Sequence, residues 1–450
     1  MQKTSNIIKN VIGIIIIIAI ITISYKIYKK YNFNDFIKAE YNLGISQFER
    51  DNEEKYGQFD SYKIVNTDYN DAMFYQTIKV TPNTPYKVTC KIKTENVISK
   101  TNNSDSGAHI CIGDTTEKSD NVTGSSDWTN VEFYFNSKNR EEVKLGFRLG
   151  GYEDEVLGTA WFSDMKIESG IADTTNEWNF LCILFDNVDV NINGENIKLQ
   201  LTQIDKEDMD TCIKRFKTSM QELSQNKIKV NYQIVETKQP ITSMSYDEEN
   251  GYYVSGNDVK NVIDEYIKQG KYDHIFIAFR TGDINKKQAI KVNDWIGLGS
   301  MQYRGIGFSN IRLPENEHDY IYKYDPRINT FPEEVYVHEF LHTLERNSKE
   351  YGYQIPELHD HSEYGYENKV LIGLKQWYQD YMNKQIKTLS GNIGLPKEIY
   401  NKKPAKSTDF EYTHNLNYFE EPENIIEEMN DIIKRLVKMF NNAEKIQNNA

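Results

Sequence analysis

The sequence predicts a multidomain chain in three parts: an N-terminal membrane anchor over residues 1–30, an all-β sandwich over 31–172, and an α+β domain over 177–450. Three observations predict it. Val11–Ile23 (VIGIIIIIAIITI) carries no charge. Short alternating runs bounded by Asn, Gly, Ser and Asp recur up to Gly170. From Trp178 the texture changes to apolar strands alternating with amphipathic stretches.

The apolar stretch from Ile7 to Ser24 is flanked by Lys3 before it and by Lys26, Lys29 and Lys30 after it. It is close to the shortest span that crosses a bilayer, roughly 17–20 residues, with Lys9 able to snorkel. A cleaved signal peptide, giving a secreted protein, is the alternative. Thr22-x-Ser24 is a poor cleavage site and three lysines come after it, so the expectation is an uncleaved single-pass anchor at residues 7–24, with the globular part outside the cell.

The rest of the chain is long enough for two cores: 450 residues, 38% apolar and 12% aromatic. Abundant Tyr, Asn, Lys and Ile suggest an AT-rich bacterial genome. The net charge is −14 and no run of Lys and Arg forms a basic stripe, which argues against nucleic acid as a partner. Cys90, Cys111, Cys182 and Cys212 show no C-x-x-C spacing. That excludes a zinc knuckle or dithiol redox motif and leaves buried free thiols, or a Cys90–Cys111 bridge.

In the first globular part, strands are expected at 86–93, 109–112, 131–135, 143–149 and 160–167, separated by polar turns at Lys100–Gly107 and Asn121–Asp127. After a linker at Asp173–Asn176, strands are expected at 180–185, 227–235, 274–279 and 301–313. Helices are expected at 206–224, 258–269 and beyond Phe331, the last of them at 425–440.

The chemistry is carried by His338-Glu339-Phe340-Leu341-His342. On a helix, residues four apart share a face, so both imidazoles can meet one zinc ion while Glu339 stays free to take a proton from zinc-bound water as it attacks a carbonyl. Thr330-x-x-Glu333, with Pro332 in the first turn, reads as a capping box that starts this helix. Val335, Val337, Phe340, Leu341 and Leu344 supply its apolar faces. The other reading of the motif, two unrelated histidines on a helix, would bury uncompensated polar groups. A zinc hydrolase needs a third ligand. Glu345 lies one turn too far along the helix, and Glu357–Tyr366 offers His359, with Asp360, His361 and Glu363 as alternatives. Unused acids can orient the imidazoles from outside.

The motif resembles that of the zincin metalloproteases. The resemblance implies a mixed sheet packed on the motif helix, an edge strand at Gly305–Arg312 that holds extended peptide, Zn2+ as cofactor and Glu339 as base. By analogy with aspartate-liganded members, Tyr364 is a candidate for stabilising the oxyanion, and Met382 for a methionine turn beneath the metal, against a plain core role for each. The chain departs from the metzincin pattern, with Glu345 at its glycine and Ser348 at its last histidine. The sandwich is similar to jelly-roll carbohydrate-binding modules in Asp127–Phe135, Leu145–Tyr152 and Gly158–Glu168. That resemblance implies a glycan partner, from cell wall or host, and a structural Ca2+ near Asp164. Trp128 and Trp161 read as core residues.

Together these readings predict a zinc-dependent endopeptidase at the bacterial cell surface, acting on protein or peptide and docked on glycan by its sandwich. A non-enzymatic glycan-binding adhesin with an inactive protease-like domain is the alternative, and a zinc hydrolase of non-peptide substrates is a third reading.

Overall fold

The computed structural model describes residues 36–101, 106–151, 154–267, 272–283, 285–314, 321–404 and 411–414. Among these residues no helix is long and apolar enough to cross a membrane. The expected anchor at residues 7–24 and the expected helix at 425–440 lie outside them.

Nine strands build the sandwich: β1 (Ile37–Glu40), β2 (Ser46–Tyr56), β3 (Phe59–Asn70), β4 (Ala72–Lys79), β5 (Pro85–Ser99), β6 (Gly107–Ile112), β7 (Gly124–Asn136), β8 (Glu142–Gly150) and β9 (Val156–Ser169). One sheet has the order β1-β4-β8-β6 and the other β2-β3-β9-β5-β7, with Glu411–His414 beside β9. All pairings are antiparallel. Alternate residues of both sheets, among them Ile64, Phe74, Val88, Ile110, Phe147 and Phe162, meet in one core. All four cysteines are free and buried. Trp161 is 7% exposed and donates its Nε1–H to Asp51. Trp128 departs from expectation: it is only half-buried, with its ring edge against Tyr56 at 5.8 Å. Asp164 pairs with Lys166 at 2.9 Å, and no group of three His, Cys, Asp or Glu ligands gathers there among the described residues.

The second part is a layered α+β unit. A mixed five-stranded sheet is made by β10 (Glu177–Phe185), β11 (Lys229–Thr237), β12 (His274–Arg280), β13 (Gly297–Tyr303) and β14 (Ile306–Leu313). Its order is β11-β10-β12-β14-β13, parallel except for β13. The central strands are apolar on both faces, as burial on both sides requires. Phe180, Cys182, Phe276 and Ile311 pack on helices α1 (Gln203–Leu223), α3 (Glu334–Glu350) and α4 (Lys375–Asn383). Leu181, Ile183, Ile275 and Ile277 face the other way, onto the 187–200 hairpin and α2 (Lys260–Ile267).

The expected edge strand is corrected. Ile306–Leu313 is β14, an interior strand, and the edge is β13. The expected 301–313 strand breaks at a tight turn, where Arg304 and Gly305 both take positive φ (49° and 75°), the backbone twist that two-residue hairpins favour. The sandwich touches this part at the C-terminal end of α3, at the β13–β14 turn and where Glu411–His414 runs beside β9. Lys138 bonds Asn347 (3.0 Å) and pairs with Glu350 (3.2 Å) on α3, and Glu132 pairs with Arg304 in the β13–β14 turn.

Candidate metal centre

Helix α3 carries the motif. Tyr336, Val337, Phe340, Leu341 and Leu344 bury its apolar face against the sheet and α1, with Phe340 edge-on to Phe180 at 4.8 Å. The expected capping box does not form. Glu333 occupies the N-cap without bonding the helix amides. Its carboxylate is fully buried and bonds Arg215 (2.8 Å) and Ser219 (2.5 Å) of α1. Thr330 Oγ1 instead accepts from Asp325 N and donates to Lys323 O. An ion pair to α1, buried at its Glu333 end and partly exposed at Arg215, stands where the local cap was expected.

The opposite face of α3 presents His338 and His342, and His359 comes to meet them. One nitrogen from each lies within 4.8 Å of the others. His338 Nε2 and His359 Nε2 are 3.0 Å apart with their rings stacked, and the His342 ring stands at 90° to both. His361, Asp360 and Glu363 stay out of the cluster. His361 Nδ1 donates to Tyr366 O, Asp360 accepts from Glu357 N, and Glu363 is exposed. Leu358 selects His359 among the four. Its side chain is buried, its N–H goes to Glu345 Oε1 (2.9 Å) and its carbonyl accepts from Trp377 Nε1 (2.9 Å). The next residue is therefore held over the helix.

Each helical histidine has a support that sequence reasoning missed. His338 Nδ1 donates to the Tyr378 hydroxyl (3.2 Å), which donates to Glu334 Oε1 (3.1 Å). His342 Nδ1 donates to Glu345 Oε2 (2.9 Å). These bonds fix the proton on Nδ1 and leave both Nε2 lone pairs free. Burial, then the neighbouring imidazoles, push His338 well below its ordinary range, so it is neutral, as a ligand must be. Burial pushes the Glu345 carboxyl up, but His342 and the Leu358 amide hold it well below the usual carboxylate range. Glu345 was readable as a neighbour of His342 from its i+3 spacing; Tyr378 and Glu334 gave no such signal. Tyr364 stacks on Trp377 at 6.0 Å and packs against the core. Met382 is a fully buried core residue.

Glu339 is 4% exposed and accepts the Gly299 N–H from edge strand β13. Burial raises its carboxyl to about 8. A Cβ on Gly297 would come within 2.4 Å of Glu339 Cγ, and one on Gly299 within 2.7 Å of Oε2. Both positions need glycine because the carboxylate lies directly on the strand. Three convergent imidazoles with a carboxylate on the same helix turn are the donor set a catalytic zinc site uses, so the residues present fit the metal.

Glu345→Gln keeps the shape but weakens the acceptor on His342 Nδ1. It is expected to lower zinc affinity about 10–100-fold, read by competition with a chromogenic chelator, and unchanged affinity would remove this role.

No protein-family model and no curated protein matches the chain. Among solved structures it is similar, over 31% of its length, to the enzymatically active domain of tailspike protein 4 of bacteriophage CBA120, at 10% identity, 20% of that chain and a TM-score of 0.24. A CBM4 structure matches over 31% of this chain and 91% of its own, at 18% identity and a TM-score of 0.21. A family 11 carbohydrate-binding module from Clostridium thermocellum, in complex with a β-1,3-1,4-mixed-linked tetrasaccharide, matches over 30% and 89%, at 8% identity and a TM-score of 0.21.

Proposed function

We propose that the chain is a zinc-dependent endopeptidase that works at the cell surface, with its sandwich docking it on glycan. The observation that carries this reading is the convergence of His338, His342 and His359 beside the buried carboxylate of Glu339. Zinc held by these imidazoles would supply Lewis acidity, acidifying water and polarising a substrate carbonyl. Glu339 then takes the proton that water loses as its oxygen attacks the carbonyl carbon, and passes it to the amine that leaves when the C–N bond breaks. Tyr378 with Glu334, and Glu345, keep the two helical imidazoles in the metal-accepting tautomer. As the edge strand of the sheet, β13 runs past Glu339 and would take an extended peptide at the main-chain groups that Glu339 and Arg346 leave unengaged, which favours polypeptide over other substrates.

Glycan docking rests on the sandwich architecture and on the half-buried Trp128–Tyr56 pair, whose apolar faces suit stacking on sugar rings. In this reading the apolar span at residues 7–24 tethers the protein.

The test is metal content together with cleavage. Purified protein is expected to carry one zinc, to cleave casein or a peptide library, and to lose both properties with a chelator or in His359→Ala. Protein that holds no transition metal and ignores chelators would end the enzymatic reading. Zinc-loaded protein that binds a glycan array but cleaves nothing would favour the adhesin.

A further inference from the structure

The edge strand is irregular at one place, beside Glu339. Leu298 faces Asn310 and Met301 faces Phe308, so Gly299 and Ser300 together oppose Ser309 alone. This is a β-bulge. Ser300 holds it at φ 63°, a conformation that side-chain-bearing residues seldom adopt. An inserted residue re-aims the groups on either side of it, and here the Gly299 N–H meets the Glu339 carboxylate.

Across the bulge lies Arg346, one helical turn past His342. Its Nη1 donates to the carbonyls of Ser300 (2.6 Å) and Met301 (3.0 Å). The remainder of the guanidinium is poorly served. Nε and Nη2 are buried without a hydrogen bond, and Glu350 Oε1 stands 4.0 Å from Nε. Burying a cation on such terms works against stability, and unsatisfied buried donors call for a structural explanation. Its hydrogen bonds go to the bulge, so that is where its effect is to be sought.

We propose that Arg346 is a positioning residue for Glu339: it pins the Gly299–Ser300 bulge, which keeps the Gly299 N–H on the carboxylate and the carboxylate in place beside the imidazoles. This rests on the reading of Glu339 as the proton-taking group. The cradle is tight, since a Cβ on Gly299 would also fall 3.2 Å from His342 Cβ. A bulge that drifts changes where Glu339 points without removing a ligand.

The experiment compares full-length, zinc-loaded wild type with Arg346→Met, which keeps the bulk and loses the donors, and with Arg346→Met/Ser300→Gly. Peptide-level hydrogen exchange over residues 297–303 and steady-state kinetics are read together. Arg346→Met is expected to speed exchange in this segment about tenfold and to lower kcat about tenfold, with KM within about twofold and zinc retained. Glycine reaches positive φ without strain, so the second change is expected to restore part of kcat. Arg346→Lys, which keeps the charge and one donor direction, carries the same comparison if the methionine variant does not fold. Unchanged exchange overturns the proposal. So does a kcat loss matched by zinc loss, because Arg346 would then be holding the helix instead. A wild type that hydrolyses nothing while Arg346→Met still loosens the segment would discard the enzymatic reading and retain the brace.

Discussion

Glu339→Gln protein is expected to bind zinc as wild type does and to hydrolyse peptides about 10²–10⁴-fold more slowly, the range a general base contributes. The substitution is close to isosteric, which matters in this setting. Gly297 and Gly299 leave no room for the side chain to move aside, so the amide takes the carboxylate's position and can still accept the Gly299 N–H. The three imidazoles and their supports at Tyr378, Glu334 and Glu345 are untouched, so metal content separates this variant from a misfolded one. Stability offers a second check. Burial disfavours the charged form of Glu339, so a neutral amide is expected to leave the melting temperature of metal-free protein unchanged or raised. Hydrolysis that survives the change at more than about a tenth of the wild-type rate would transfer the proton to another group and remove the mechanism.

The range of each interaction decides how much of this was legible in the sequence. His338, Glu339 and His342 were readable because a helix fixes their geometry locally. His359 was the preferred third ligand within Glu357–Tyr366, with Asp360, His361 and Glu363 as alternatives, but nothing local to that segment explained the preference. The choice is made by Leu358, pinned between Glu345 and Trp377, and neither partner is near in sequence. The edge strand was misplaced by one hairpin because Arg304-Gly305 lacks the Asn-Gly or Asp-Gly signature of a two-residue turn, so two strands read as one. Glu333 misled in the opposite sense. Its spacing from Thr330 suited a cap, but Arg215 and Ser219, more than a hundred residues away, offered its carboxylate stronger partners. In the sandwich, β2 (SQFERDNEEKY) gave no apolar alternation, being largely solvent-facing along its length, and only its pairing with β3 makes it a strand.

The largest effect on stability is expected away from the histidines, at Asp205. This residue is fully buried and serves two elements at once. It completes the capping box of α1, accepting the Thr202 N–H at 2.7 Å while Thr202 Oγ1 accepts the Asp205 N–H at 3.1 Å. It also receives a two-pronged bond from Arg280 at the end of β12, Nε at 2.8 Å and Nη2 at 3.2 Å. Arg280 is itself 7% exposed. Asp205→Ala leaves that cation buried with only the Gly282 carbonyl for Nη1, and the expected loss is about 3–5 kcal/mol in denaturant unfolding. Asp205→Asn, which keeps a cap acceptor, is expected to lose less. The pH dependence has a definite sign. Burial pushes the Asp205 carboxyl up, Arg280 and Thr202 pull it down further, and it ends below its ordinary value. A carboxylate depressed in the fold stabilises fully above its unfolded value of about 3.9 and loses that contribution as pH falls through the folded one. The gap between wild type and Asp205→Asn should therefore be constant near neutrality and narrow only in acid. Because α1 supplies the Arg215 and Ser219 that hold Glu333 at the head of the metal helix, loosening its start should also make zinc-dependent stabilisation the larger share of what remains. A loss below about 1 kcal/mol for Asp205→Ala would mean that water reaches Arg280 and that the pair behaves as a surface ion pair.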